Sequence, residues 1–315
     1  MFPLRLSALL LAPSLTAASS ILLSGGTIIA FNHKTEALEV IRDGSLLITD
    51  DRITSILTDS NSTRIPEGTE TVHVTGKIIT PGFIDTHKHG WQTAFKTLGS
   101  NTSLIEYFNR YGEFAAAKLN YTAEDVYVGQ ITGIYEALHG GVTTILDHAH
   151  HTWSNATSEA GLQASIDSGA RIFWAHAFHQ IPEMNYEIPE QLAFYRELAL
   201  RRPFEGSPTE IGVAYDTFDP ANVTEVNAII SLALETNASV ITTHAGGSTS
   251  LTHSPPPSQP IYQRLTATRN QQPRNICRIG HPQHLHPNSL LARLLTHRGG
   301  RRPSPGAQPV HLDNA

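Results

Sequence analysis

Apolar and polar residues alternate with a period near two over the first part of the chain, in short runs broken by Gly, Asp and Asn. Residues 21–31 (ILLSGGTIIAF), 44–49 (GSLLIT) and 52–57 (RITSIL) read as three strands of an antiparallel meander. Residues 71–74 and 77–80, separated by Gly76, are expected to continue it. Gly25-Gly26 falls inside the first run, where a turn or bulge is the structural expectation. Pro81-Gly82 then punctuates the chain.

Beyond Gly82 the pattern changes to short apolar runs alternating with helical stretches, the signature of βα units around a parallel sheet. Strands are expected at residues 83–86, 143–147, 171–174, 210–214 and 239–243, and helices at 103–118, 123–138, 159–168, 189–200 and 223–234. Five successive units favour an α/β architecture of (β/α)8 type, a TIM-like barrel, over an open sheet. From about Thr249 the composition shifts: Pro255, Pro256 and Pro257 adjoin, eight arginines follow, and Asp313 is the one acidic residue. Residues 276–279 and 289–295 fit one more strand and helix, with a Pro/Gly-rich tail after them. The expected organisation is a leader at 1–19, a small β subdomain of sandwich type at 20–80, an incomplete barrel at 81–248 and an atypical Pro/Arg-rich segment, partly disordered, at 249–315.

Composition narrows the class. A chain of 315 residues with 40% hydrophobic content can bury a sizeable core, and its net charge of -6 gives no basis for binding nucleic acid. A small-molecule partner is the default, and oligomeric state is not encoded in any feature. One cysteine, Cys277, excludes an internal disulfide framework. Seventeen histidines against five lysines is a skew toward metal-ligating side chains. Residues 1–19 combine an early Arg5, an apolar stretch shorter than the roughly 20 residues a bilayer requires, and small residues before Ser20, which reads as a secretory signal rather than a membrane anchor. Six Asn-x-Ser/Thr sequons, at Asn61, Asn101, Asn120, Asn155, Asn222 and Asn237, fit a secreted glycoprotein.

In a parallel barrel, chemistry sits at the carboxyl ends of the strands. His87 and His89 follow the first barrel strand, and in extended chain residues two apart project to one side, so the pair can grip one metal ion. The alternative is a histidine pair exposed by chance. His148, His150 and His151 follow the second strand candidate, and His176 and His179 the third. Both groups are expected at the mouth of the pocket, in structural or surface roles, or else as substrate contacts or proton carriers. Neither a Gly-rich phosphate loop nor a Gly-x-Ser-x-Gly elbow occurs.

The run Pro81-Gly82-Phe83-Ile84-Asp85-Thr86-His87-Lys88-His89, entered from a small β subdomain, resembles the first barrel strand of the amidohydrolase superfamily. Its continuation, Trp91-Gln92, is similar to the branch of cytosine deaminase and atrazine chlorohydrolase, and the likeness runs from about Ile21 to His244, through residues 137–147 (ALHGGVTTILD). The resemblance implies a metal-dependent hydrolase acting on non-peptide carbon-nitrogen bonds, with one divalent ion, zinc or iron, activating a water. It implies His244 as a third ligand beside His87 and His89, a further histidine matched in order by His281 with His284 and His286 as competitors, and Gln92 among the substrate contacts. The fourth strand lacks the lysine that bridges two ions in other members, which favours a single ion.

Two departures stand out. The acidic residue that the resemblance places three positions after His244 is Gly247 here, and residues 249–315 offer no strand for the aspartate expected on the eighth. A catalytically impaired relic, limited to metal or ligand binding, is therefore the alternative to a working hydrolase. The leader and the sequons together give the first testable expectation: in a eukaryotic host, tunicamycin should increase the protein's mobility on a gel. An insensitive mobility would count against a secretory destination.

Overall fold

The computed structural model describes residues 20–58, 64–218, 222–244 and 275–279. The leader, Asn61, Gly247, His281 and the helix expected at 289–295 lie outside them. The chain divides into two compact units on either side of the Gly82-Phe83 bond.

The first unit is built on one sheet. Strands β1 (Ser20–Asn32), β2 (Ala37–Thr49) and β3 (Arg52–Leu57) pair antiparallel in succession, as the alternation predicts. β2 begins seven residues earlier than the expected run, because the largely exposed residues 37–43, Leu38, Val40 and Ile41 among them, extend it along the far half of β1. The register shifts on both sides of Gly26, next to Gly25 at φ +80°, so the paired glycines mark a bulge. Two later strands depart from the expected meander. β4 (Glu70–His73) and β5 (Ile78–Ile79) both lie parallel to β1. The segment between Leu57 and Glu70 is long enough for a crossover rather than a hairpin, and a crossover returns the chain in the same direction. Leu22, Leu47 and Leu57 form the buried apolar cluster of this sheet.

The second unit is a curled parallel half-barrel. β6 (Phe83–Lys88), β7 (Val142–Ala149), β8 (Arg171–Ala177), β9 (Glu210–Ala214), β10 (Val240–His244) and β11 (Asn275–Ile279) are neighbours in chain order. A sheet that winds in one direction without reversing its strand order is the arrangement of a βα barrel rather than a doubly wound sheet. The long helices α3 (Ala123–His139), α4 (Asn155–Asp167), α5 (Ile188–Arg201) and α6 (Val223–Glu235) lie in the connections.

The helix expected at 103–118 is instead two short ones, α1 (Leu104–Arg110) and α2 (Ala117–Asn120). Gly112, poor in a helix interior, follows the C-cap Tyr111, and its N–H turns back to the Tyr107 carbonyl. Sequence marks the other helix starts clearly: Ser103 with Glu106, Thr122 with Asp125 and Ser154 with Thr157 each form a capping box. α3 ends at Gly140, and Gly141 at φ +86° makes the left-handed turn that delivers the chain into β7.

Strand periodicity sorts side chains into two layers. Ile145, Ile172, Trp174, Ile211 and Val213 pack against Leu162, Phe194, Leu198, Ile229 and Leu232 of the helices. Leu146, Ala175, Ala177, Ala214 and Val240 cluster on the other face of the sheet. Any residue an even number of positions from this second set on the same strand shares its side. Among the described residues no helix is long and apolar enough to cross a membrane.

α3 buries Val126, Gly129, Gln130, Gly133 and Ile134, the one-sided spacing of an amphipathic helix. Its glycines permit close approach to the 3-10 turn Gly90–Phe95: a Cβ on Gly129 would lie 2.5 Å from the Trp91 carbonyl oxygen, and one on Gly133 2.7 Å from that of Gly90. Ordinarily an alanine for a helical glycine stabilises by about 0.5–1 kcal/mol. Gly129→Ala should do the reverse, costing about 1–3 kcal/mol as an overpacked contact and lowering the melting temperature. Calorimetry checks the sign.

Candidate metal centre

His87 is on β6, His89 one residue past its end, and His244 closes β10, four strands away. His244 shares a strand face with Val240 and therefore points away from the helices. The three rings meet Nε2 to Nε2: 3.1 Å from His87 to His89, 2.9 Å from His87 to His244 and 3.3 Å from His89 to His244. Nitrogens each about 2.0–2.1 Å from a tetrahedral zinc would stand roughly 3.3 Å apart, so the cluster has the dimensions of a metal site.

Protonation supports the same reading. Burial, then the adjoining His244 and His148, push His87 down to about 4, and burial with the neighbouring imidazoles takes His89 well below the usual histidine range. Kept neutral, His87 and His89 can each turn a lone pair toward the point where the rings meet.

Each outer nitrogen is handled differently. His89 Nδ1 lies 2.8 Å from the carbonyl oxygen of His148, to which it donates, leaving the Nε2 lone pair directed inward. His244 Nδ1 lies 2.8 Å from Asp216 Oδ2, while the His244 backbone N–H donates to Oδ1 of the same carboxylate at 2.7 Å. Burial lowers His244, but the hydrogen bond and charge of Asp216 outweigh it and raise the ring above its ordinary value. Burial alone would raise Asp216, and the neighbouring His148 and His244 reverse this and hold it well below the usual carboxylate range. His87 Nδ1 is buried with no hydrogen-bond partner among the described residues.

The five histidines expected at the mouth of the pocket are all buried or half-buried, and they divide. His148 shares the inner strand face with Leu146; its ring centroid is 4.2 Å from that of His244 and its Nε2 3.5 Å from Asp216 Oδ2. Thus His148, Asp216 and His244 form a second group of possible ligands that overlaps the first. His150 stacks on His89 at 3.9 Å and accepts a hydrogen bond from Trp91 Nε1 at Nδ1. His179 Nε2 is engaged by the hydroxyl and carbonyl of Thr152.

His176 is a correction: it is fully buried among Trp174, Phe178, Phe194 and Tyr195. It shares the parity of Trp174, so its strand directs it toward the helices and away from any substrate, contrary to the expected substrate contact. His151, also buried, lies against Gly161 of α4. Gln92 has both ends of its amide in use, donating to the Tyr111 carbonyl and accepting from the Tyr107 hydroxyl. That role is holding the loop after β6, and it leaves little for a substrate.

Three carboxylates that the sequence reading passed over matter here. Asp216 lies two residues past β9, on the inner parity of Ala214, a position that the strand-end rule could have flagged. Asp147, fully buried on β7, accepts from the Gly90 N–H at 3.1 Å and from Gln130 Nε2 at 2.6 Å, and so fixes the chain directly after His89. Burial pushes it up to about 6, against the pull of those two hydrogen bonds. Glu113, between α1 and α2, brings Oε2 to 3.6 Å from His150 Nε2. Nothing in the sequence signals it.

Comparison with known proteins bears on family and fold. Residues 78–254 match the model of the Amidohydrolase family. A 5'-deoxyadenosine deaminase of Methanobrevibacter smithii is 30% identical over 156 residues, 49% of this chain and 34% of the relative. The chain thus spans about a third of the length of that curated relative. Among solved structures, guanine deaminase from C. acetobutylicum with bound guanine superposes with a TM-score of 0.65 at 16% identity, covering 88% of this chain and 66% of that one. An adenosine deaminase from Xanthomonas campestris with bound zinc gives 0.64 at 16% identity, covering 79% and 55%. With a curled parallel sheet, a cluster of histidines at its strand ends and a family match over more than half of its 315 residues, the chain belongs to the amidohydrolase family.

Proposed function

We propose that this chain hydrolyses a carbon-nitrogen bond of a small molecule with the help of one zinc ion held by His87, His89 and His244. The convergence of three Nε2 atoms within 2.9–3.3 Å carries the reading. Zinc there would draw the acidity of a water toward neutrality and polarise the substrate. The protein's part is orientation: the His148 carbonyl and the Asp216 carboxylate fix the outer nitrogens of His89 and His244. Deaminase activity in the name of the curated relative favours an amino-substituted nitrogen heterocycle as substrate.

A second reading, metal binding without turnover, is favoured by Gly247, which leaves the position three after His244 without a carboxylate. One experiment separates the two. The purified full chain, loaded with zinc, is assayed for bound metal and for ammonia release from 5'-deoxyadenosine and related aminopurines.

One zinc per chain with chelator-sensitive ammonia release is expected. Zinc without ammonia would support the second reading, and no zinc would overturn both. His87→Ala with His89→Ala should abolish metal binding. Asp216→Asn, which keeps the shape but removes the charge behind His244, should weaken zinc affinity about 10–100-fold, read by competition with a chromophoric chelator.

A further inference from the structure

We propose that Glu113 carries the proton in this hydrolysis, moving it from the attacking water to the leaving nitrogen, with Trp91 and His150 as positioning residues. The inference rests on the hydrolase reading above and supplies the acid-base group that Gly247 does not.

Glu113 stands in the irregular segment between α1 and α2, and its backbone carbonyl accepts a hydrogen bond from Trp153 Nε1 at 2.9 Å. That bond anchors the segment to a tryptophan that is fully buried. The carboxylate side chain is itself largely enclosed, 16% exposed, with Oε2 3.6 Å from His150 Nε2. Trp91 Nε1 can only donate, so His150 Nδ1 accepts and the ring's proton resides on Nε2, facing Glu113. The same His150 ring lies flat against His89, 3.9 Å between centroids and 23° between planes. Glu113 is therefore one ring removed from the candidate ligands, held by a chain of fixed tautomer.

Besides the adjoining His150, the charges that act on Glu113 are those of Asp216 and His244, and Tyr107 is influenced by Glu113 in turn. Burial, then the negative charge of Asp216, pushes its carboxyl up to about 7, the range in which a carboxyl can both take and give a proton in neutral water. Its competitors are unsuited. Burial holds His150 well below the usual range and His179 at about 4, so neither is protonated near neutrality. Asp147 uses both oxygens to hold Gly90 and Gln130, and Asp216 is committed to His244.

The step balances without a further reactant. As the water oxygen bonds to the substrate carbon, the Glu113 carboxylate takes one of its protons. The Glu113 carboxyl then gives that proton to the nitrogen as the carbon-nitrogen bond breaks with its electron pair on nitrogen. Ammonia leaves, and Glu113 is again a carboxylate.

Glu113→Gln tests the assignment in the zinc-loaded full chain. The expected result is a fall in kcat of about 100-fold or more with KM and zinc content nearly unchanged, and partial activity retained by Glu113→Asp. A raised KM with kcat intact would overturn the proposal in favour of a substrate-binding carboxylate, and an unchanged rate would overturn it outright. Infrared difference spectra read the proton without turnover. The wild type should lose a carboxyl C=O band as the pH rises through about 7, and Glu113→Gln should lack that change; no such band in the wild type would overturn the proposal. The wild-type rate judges the hydrolase reading, whereas the variant-to-wild-type ratio and the band judge Glu113, so the two failures are distinct.

Discussion

Three imidazole nitrogens held within 2.9–3.3 Å of one another are the constraint around which the second unit is organised. Burial keeps His87 and His89 from relieving the crowding by protonation, because a charged ring costs more than a neutral one in a dry site. His87 and His89 are left with lone pairs to aim at the point where the three rings meet, and several polar groups around them fix the ring orientations. The His148 carbonyl serves His89, and Asp216 serves His244 through both of its oxygens.

Those supports depend in turn on close packing. Asp147 can hold the Gly90 N–H only because Gln130 meets it from α3, and α3 reaches that distance only because residues 129 and 133 have no side chain. A buried carboxylate satisfied by neutral donors is costly in isolation. Here its cost is offset by the order it imposes on the turn carrying Trp91, whose indole sets the tautomer of His150. Helix packing, turn geometry and the protonation pattern of the site are therefore one coupled arrangement.

Much of this could be read from sequence because the informative signals are local. Short apolar runs gave the barrel strands, the helical stretches between them gave most of the helices, although α4 begins four residues before the expected 159, and the His87-Lys88-His89 spacing put two rings on one side. What escaped depends on contacts between distant segments. Asp216 acquires meaning only when β9 and β10 become neighbours. Glu113 lies in a stretch that periodicity assigned to a helix and that Gly112 interrupts. His176 was misjudged for a different reason: position at a strand end was considered, but parity along the strand, fixed by its neighbour Trp174, was not. The parallel placement of β4 and β5 likewise follows from how the chain crosses over, which alternation does not encode.

His87 and His244 are separated by 157 residues, yet their nitrogens lie 2.9 Å apart. An ion joining them would close a loop through four βα connections, and its binding free energy would then also be free energy for assembling β6 through β10 in order. During synthesis the pair at His87 and His89 emerges long before its third member, and it can hold an ion only weakly until then. Tight metal capture would thus report that the half-barrel has closed as far as β10.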